Sequence, residues 1–336
     1  MVMIKKYIFI STLIFGMVLG FSSCSKDEPS SKSIFDTEGT ELDPNSASYK
    51  FDKWLQVYYL EPYNLQFRYK MQDVGTDLDY NLVPATYDKS IDLAVLTKYL
   101  WFDVYAKIVS EDFLKYYGPR IIHLIGSPAY NPANHTMILG LAEGGLKVSL
   151  FRVNNIDPSN FLMLNEFYFK TMHHEFAHIL HQTKTYPKEF NLISSKYYDP
   201  QGWQDRNKSV AASLGFTSDY ASSQAREDFA ETIANFITMT DAQWADLLDR
   251  ATKGWKQKAD ADGDPIYDEN DNPVYEETED LDGVDGKAVI IQKVSIARQW
   301  LLEAWGVDLD AIREEVQYRQ LHFDLKALRE EVDNMK

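Results

Sequence analysis

The stretch Met172–Gln182 reads MHHEFAHILHQ and holds four of the seven histidines of this 336-residue chain. Within it, His174-Glu175-Phe176-Ala177-His178 follows the pattern H-E-x-x-H. On a helix, residues four apart share a face, so both imidazoles can reach one ion, and Glu175 beside them can take a proton from water. No charge interrupts the apolar run between Glu175 and His181. A buried helix with such a polar stripe would be costly without a metal, so the stretch predicts a metal site.

A second helix is predicted to complete the ligand set, because two histidines leave a protein zinc site short of ligands. The stretch Arg226–Phe236, REDFAETIANF, is apolar apart from acids near its start. Glu227 and Glu231 are four apart and share a face. One would bind the metal, and the other would hold the second imidazole nitrogen of a histidine ligand. The alternative is that the helix dipole favours acids at this end, which explains Glu227 and Asp228 better than Glu231.

Two further histidines flank the motif. His181 extends it to H-E-x-x-H-x-x-H, which resembles the beginning of a metzincin motif. The glycine and the later histidine of that motif are missing, since Gln182-Thr183-Lys184 follows. His173 points about a quarter-turn away from His174 on a helix. Both are therefore interpreted as surface groups or as groups that support the ligands.

The N-terminus predicts export and lipidation. Lys5 and Lys6 precede the apolar run Tyr7–Phe21, which is shorter than the roughly 20 residues of a membrane span. The run ends in FSSC, and Cys24 is the single cysteine of the chain, so no internal disulfide can form. Residues 1–23 are interpreted as a lipoprotein signal peptide, Cys24 as the lipidated residue and 24–47 as a flexible tether. The alternative is an ordinary cleaved signal with a spare thiol.

The charge is unevenly distributed. The net charge of −17 argues against a nucleic-acid partner. Twelve acids and no lysine or arginine lie between Asp260 and Asp285, within an acidic hairpin insert at about 258–286 whose two arms, DPIYDE and NPVYEE, echo each other. An EF-hand loop needs glycine at position six and glutamate at position twelve, where this segment has Pro265 and Asp271. A solvated hairpin is favoured, and loose calcium binding stays open.

Periodicity and turn residues give a coarse map of the rest. Strands are predicted at Arg120–Ser127 and in a hairpin over Gly140–Asn155. Asp157 or Ser159 is expected to cap the helix that carries the motif. Helices are predicted at Leu93–Tyr117, Phe161 to about Gln182, Ala225 to about Met239, from Asp241 onward, Lys287–Trp305 and Asp308–Asp333.

HEFAH, followed some fifty residues later by EDFAE, resembles the Glu-zincin metallopeptidases, with a spacing similar to that of the anthrax lethal factor-like group. With the lipoprotein signal and the AEGG strand, the chain resembles zinc-binding metallopeptidase lipoproteins of Bacteroides-type bacteria, which are associated with TonB-dependent nutrient import. The resemblance implies an α+β, zincin-like catalytic domain over 48–336, with a small mixed sheet, an active-site helix and a mainly helical C-terminal half.

The resemblance also assigns roles. It implies one Zn²⁺ held by His174, His178 and Glu227, with Glu231 supporting a ligand. Tyr220, seven residues before Glu227, would stabilise the oxyanion. Asp27 and Glu28 after the cysteine resemble a signal for export to the outer face of the outer membrane.

The expected function is a zinc-dependent peptidase, anchored by lipid at the cell surface and linked to an importer. Glu175 would take a proton from water that attacks a peptide carbonyl and pass it to the leaving amine. The strand Lys147–Val153 is expected to be the edge on which a peptide substrate pairs. Two alternatives stay open: a zinc hydrolase of another bond, and a non-catalytic glycan- or peptide-binding accessory lipoprotein.

Overall fold

The structure is a computed structural model that describes residues 42–71, 81–130, 137–138, 140–143, 147–269, 271–279 and 283–336. The chain divides into two units, residues 1–46 and 47–336. The predicted signal peptide, Cys24 and nearly all of the tether lie outside the described residues. Among the residues that are described, no helix has the length and apolar character needed to cross a membrane.

A four-stranded mixed sheet forms the β part of the second unit. Its strands are β1 (Gln66–Arg68), β2 (Ile121–Leu124), β5 (Gly140–Glu143) and β6 (Lys147–Leu150). They lie in the order β1-β2-β6-β5, in which β1, β2 and β6 run parallel and β5 runs antiparallel to β6. A two-stranded ribbon pairs β3 (Ala129–Tyr130) with β4 (Met137–Ile138). The predicted small mixed sheet and the β5–β6 hairpin are confirmed, whereas the Gly-Gly turn of the hairpin lies outside the described residues.

The prediction that Lys147–Val153 is the sheet edge is wrong. Strand β6 lies between β2 and β5 and bonds to both. It ends at Leu150, and Val153–Asn155 is a short 3₁₀ turn. The edge beside β6 is β5. Hairpin pairing is local and visible in the sequence, but the parallel pairing of β2 with β6 joins distant segments and leaves no comparable pattern.

The helices that precede β2 in the chain pack an aromatic core. They are α1 (Tyr49–Leu55), α2 (Glu61–Tyr63), α3 (Tyr87–Thr97), α4 (Asp103–Ile108) and α5 (Phe113–Tyr117). Five-residue π segments, Gln56–Leu60 and Lys98–Phe102, join α1 to α2 and α3 to α4. The helix predicted over Leu93–Tyr117 therefore begins earlier, at Tyr87, and is interrupted between Ile108 and Phe113. It stops before Gly118, as predicted.

The helix that carries the H-E-x-x-H motif is continuous from 161 to 183. It consists of α6 (Phe161–Leu164), a π segment (Asn165–Phe169) and α7 (Lys170–Thr183). Asn160 is the cap, because its side chain accepts a hydrogen bond from the Met163 backbone N–H at 3.0 Å. The predicted caps are wrong, since Asp157 instead accepts from the backbone and hydroxyl of Ser159 in the preceding turn.

The C-terminal half is mainly helical, as predicted. Helix α10 (Ala225–Thr238) lies against α7 and is buried along almost its whole length. A capping box of Thr240 and Gln243 starts α11 (Asp241–Arg250). The long helix predicted over Asp308–Asp333 is two helices, because Asp324 caps a new one after Phe323. The helices of this half are α8 (Phe190–Ile193), α9 (Lys208–Ser213), α10 (Ala225–Thr238), α11 (Asp241–Arg250), α12 (Gly286–Trp305), α13 (Leu309–His322) and α14 (Leu325–Asp333).

The acidic insert is a hairpin, as predicted. At the base of the hairpin, strand β7 (Gly254–Gln257) pairs with strand β8 (Tyr275–Thr278). Matching turns lead into the two echoing arms, because Asp260 and Asp268 each accept a hydrogen bond from the backbone N–H four residues later. Gly263 and Asp271 take the left-handed conformation at equivalent positions, with φ of +89° and +61°. The side chains of those acids of the insert that the structure describes are mainly exposed.

Candidate metal centre

Three predicted ligands meet at one point between α7 and α10. His174 Nε2 lies 3.0 Å from His178 Nε2, and Glu227 Oε2 lies 3.2 Å and 3.0 Å from these two nitrogens. Ligand atoms on a tetrahedral zinc ion are roughly 3.3 Å apart. The three atoms therefore stand at nearly the spacing that one zinc ion requires, and they form the one group in the described part of the chain that could hold a metal ion.

The hydrogen bonds around His174 also fit a cation. Its Nδ1 lies 2.9 Å from Glu231 Oε1, so Nδ1–H donates to that carboxylate. A neutral His174 then presents the lone pair of Nε2 to the Glu227 carboxylate and to His178. Two acceptors facing one another in a buried site are unfavourable unless a proton or a metal ion lies between them. The donor set is thus complete for a zinc ion.

Glu231 is buried and is held by four side chains. Besides His174, its carboxylate accepts hydrogen bonds on Oε2 from Lys170 Nζ at 3.3 Å, Ser218 Oγ at 2.5 Å and Asn235 Nδ2 at 3.1 Å. Sequence reasoning missed Lys170, Ser218 and Asn235. Lys170 precedes His174 by four residues and Asn235 follows Glu231 by four, so helical spacing could have revealed these two.

Electrostatics at the centre follow from the close pairing of acids and imidazoles. Burial lowers the pKa of His174, but its hydrogen bonds with Glu227 and Glu231 outweigh this and raise the pKa to about 9. Burial raises the pKa of Glu227, and the two imidazoles more than reverse this, so the pKa lies well below the usual range. Burial raises the pKa of Glu175, which the neighbouring imidazoles only partly offset. A carboxylate with a raised pKa is a stronger base.

His181 and His173 have different surroundings. His181 Nε2 lies 2.7 Å from Nδ1 of His178, so it supports a ligand. Burial lowers the pKa of His181 to about 4, which keeps this imidazole neutral. His173 is buried in the aromatic core, and its Nδ1 lies 3.0 Å from the Tyr105 hydroxyl. It is not a surface group, because one step along a helix turns a side chain by about 100°, here from the cleft into the core.

Tyr220 lies at the centre, as part of a 3₁₀ turn (Tyr220–Ser222) just before α10. Its ring centroid is 5.8 Å from that of His174 and 4.8 Å from that of Trp203. Burial and the charge of the nearby Glu227 carboxylate raise the pKa of Tyr220. The hydroxyl therefore stays protonated and able to donate. Its role in stabilising an oxyanion stays a prediction.

The third acid of the predicted helix, Asp228, points the other way. Its Oδ2 lies 2.6 Å from Lys293 Nζ, and both side chains are fully buried. The Tyr198 hydroxyl donates to the same carboxylate at 2.8 Å, and Lys293 also donates to the Gly215 carbonyl at 2.7 Å. Asp228 is thus part of the core that holds α10 in place.

The metal centre opens into a cleft of about 1250 Å³. One face of the motif helix and one face of α10 line it, and Trp203, Gln204 and Tyr220 line it from the segment before α10. Glu175 faces the cleft beside the ligand atoms. Water and a substrate can therefore reach the centre.

Comparison with known proteins is consistent with this centre. The family model described as "Putative zinc-binding metallo-peptidase" matches residues 44–310. A crystal structure from Bacteroides caccae ATCC 43185, described as "a putative zinc-binding metallo-peptidase", is 37% identical in sequence, with a TM-score of 0.64 over 82% of this chain and 94% of that chain. No curated protein matches. The family match spans more than half of the chain and includes both motifs, so this chain belongs to the family described as "Putative zinc-binding metallo-peptidase".

Proposed function

We propose that this protein is a zinc-dependent peptidase that uses activated water. The observation that carries the proposal is the meeting of His174 Nε2, His178 Nε2 and Glu227 Oε2 within 3.2 Å of one another, with Glu175 beside them in an open cleft. Three protein ligands on zinc are typical of catalytic sites, in which a further position stays open.

A bound zinc ion would supply Lewis acidity, which acidifies water and polarises a carbonyl. Glu175, with its raised pKa, takes a proton from the attacking water and gives it to the amine nitrogen of the broken peptide bond. Tyr220 donates a hydrogen bond to the carbonyl oxygen as negative charge develops on it, an effect worth about 3 kcal/mol. Glu231 and His181 hold the second nitrogens of His174 and His178, and so fix both rings.

Zinc content and hydrolysis of a peptide library by the wild type and Glu175→Gln test the proposal. We expect one zinc per chain in both proteins and hydrolysis by the wild type alone. A chain without zinc after reconstitution would contradict the metal site. Zinc without hydrolysis of any peptide would contradict the peptidase and favour a binding protein or a hydrolase of another bond.

We also propose that Cys24 carries a lipid that anchors the enzyme at the outer membrane, facing the cell surface, beside components of a TonB-dependent importer. The apolar run Tyr7–Phe21 followed by FSSC supports the anchor. Labelling with a fatty acid should mark the wild type but not Cys24→Ser, and the label should appear in the outer-membrane fraction. Protease treatment of intact cells tests surface exposure, and cross-linking tests the importer.

A further inference from the structure

A row of side chains along the motif helix lines the cleft from end to end. Its members are spaced four residues apart and all of them face the cavity: Leu162, Glu166, Lys170, His174, His178 and Gln182. With a rise of 1.5 Å per residue, the row is about 30 Å long. The cleft volume of about 1250 Å³ also exceeds the roughly 300–1000 Å³ of ordinary small-molecule sites.

The metal centre divides this row unequally. From Leu162 to His174 is about 18 Å along the helix, whereas from His178 to Gln182 is about 6 Å. An extended peptide covers roughly 3.3 Å per residue, so the long arm has room for about five residues and the short arm for about two.

Helix α10 forms a second wall along the long arm. It runs antiparallel to the motif helix, because Glu227 meets His178 while the Thr238 carbonyl accepts a hydrogen bond from Asn165 Nδ2 at 2.9 Å. Asn235, Thr238 and Met239 follow Glu231 along this wall.

The chemistry of the long arm suits a polypeptide. The exposed Glu166 carboxylate and the exposed Gln243 amide line it beside the apolar Leu162 and Met239. Such a surface can satisfy backbone N–H and C=O groups and contact apolar side chains at the same time. Leu162 is 54% exposed at the far end of the row and is thus available for contact.

We infer that the substrate is an extended polypeptide cut at an internal bond, with about five residues bound on the Leu162 side of the metal centre and about two on the Gln182 side. This inference rests on the proposed peptidase function. A dipeptide or a single terminal residue would leave most of the long arm empty.

The test is a truncation series of one peptide that the zinc-loaded full chain cleaves. Residues are removed singly from each end, and kcat/KM is measured for every length. We expect a stepwise loss over four or five residues on one side, about 100-fold in total, and no further effect beyond the second residue on the other side. Equal dependence on both sides, or a tripeptide cleaved as fast as the full peptide, would overturn the inference alone. If no peptide of any length is hydrolysed, the peptidase proposal itself fails, and the inference falls with it.

Two exposed leucines provide a matched pair of variants. Leu162→Asp places a charge in the far part of the long arm, and Leu192→Asp places one on an exposed helix outside the cleft, at a leucine that is 73% exposed. We expect Leu162→Asp to raise KM several-fold for the full-length peptide. The ratio of kcat/KM between the full-length and the truncated peptide should therefore be smaller in this variant than in the wild type. Leu192→Asp should keep the wild-type values for both peptides. An equal effect of Leu162→Asp on both peptide lengths would contradict the long arm.

Discussion

Glu227 and Asp228 are neighbours on α10, but their carboxylates face opposite surroundings. Asp228 meets the ammonium group of Lys293 at 2.6 Å and the hydroxyl of Tyr198, all inside the core. Glu227 meets two imidazoles, whose charge depends on a proton or a metal ion. Both acids are nearly inaccessible, since 0% of the surface of Asp228 and 5% of that of Glu227 is exposed. The countercharge of Asp228 is a buried ammonium group of the core. Glu227 Oε1 pairs with the exposed guanidinium of Arg226 at 3.1 Å, but Oε2, the atom that faces the imidazoles, needs a proton or a metal ion beside it.

This difference separates a structural site from a functional one on the same helix turn. Burial raises the pKa of Asp228 and lowers that of Lys293, so each charge depends on the other. The stability that the centre around Glu227 contributes depends instead on pH when the metal is absent, and on bound zinc when the metal is present. The two sites should therefore respond differently to the same treatments.

The largest effect is expected from Lys293→Met. It leaves Asp228 buried without a cation, which should lower the free energy of unfolding by about 3–5 kcal/mol. Urea denaturation measures this change. As a control, Lys256→Met removes an exposed ion pair with Glu276 and should cost less than about 1 kcal/mol. A loss for Lys293→Met as small as that of the control would show that the core pair does not hold α10.

Zinc should also stabilise the wild type strongly. At 100 times its dissociation constant, a ligand that binds only the folded state adds about 2.7 kcal/mol to the free energy of unfolding. Glu227→Gln should lose most of this gain, while Glu166→Gln, elsewhere in the cleft, should keep it. Thermal unfolding with zinc and with a chelator compares the variants. An undiminished response in Glu227→Gln would exclude Glu227 as a ligand.

Without metal, stability should fall as pH rises. Hydrogen bonds with Glu227 and Glu231 raise the folded-state pKa of His174 to about 9, above the 6.5 of the unfolded chain. The resulting stabilisation is fully present below pH 6.5 and is lost as pH rises through 9, and it amounts to about 3 kcal/mol at most. Chemical denaturation of chelator-treated protein across this range measures it. A flat profile would contradict the proposed charge on His174.

Ser218→Ala should have the smallest effect, on turnover. The Ser218 hydroxyl donates to Glu231 and also accepts the Ala221 N–H, which ties the turn of Tyr220 to the support of His174. We expect kcat to fall about 10-fold, the equivalent of about 1.4 kcal/mol, with KM unchanged and partial recovery in Ser218→Thr. Ser223→Ala is the matched control, because that buried hydroxyl has no hydrogen-bond partner in the described part of the chain. Equal kcat values for Ser218→Ala and Ser223→Ala would show that Ser218 does not support the metal centre.

Sequence reasoning could find the groups that lie on one helix. His174 with His178, and Glu227 with Glu231, are fixed by four-residue spacing, and the structure brings all four together. Ser218 lies in an irregular segment, so no spacing relates it to Glu231. Lys293 is 65 positions from Asp228 in the sequence. Only the packing of α12 against α10 reveals that pair.

The fold shows the same limit. Helices α7 and α10 follow from apolar periodicity and end close to where the sequence predicts. The position of β6 inside the sheet depends on its pairing with β2, and the short strand β1 carries too few residues to form a pattern. The cap of the motif helix also depends on local geometry that the sequence does not show. Asn160, and not Asp157 or Ser159, accepts a hydrogen bond from the free N–H of Met163.

The π segment Asn165–Phe169 sets the phase of the motif helix. A π turn holds one residue more than an α turn, and one residue corresponds to about 100° of rotation. Deleting a single residue there would restore a regular α-helix and turn Leu162 and Glu166 away from the cleft. The zinc ligands downstream would keep their places. Length variation is usually tolerated in loops. Here, one residue inserted or deleted inside a helix would change which side chains line the long arm of the cleft, and so the substrate preference that we infer, while the H-E-x-x-H motif stays unchanged.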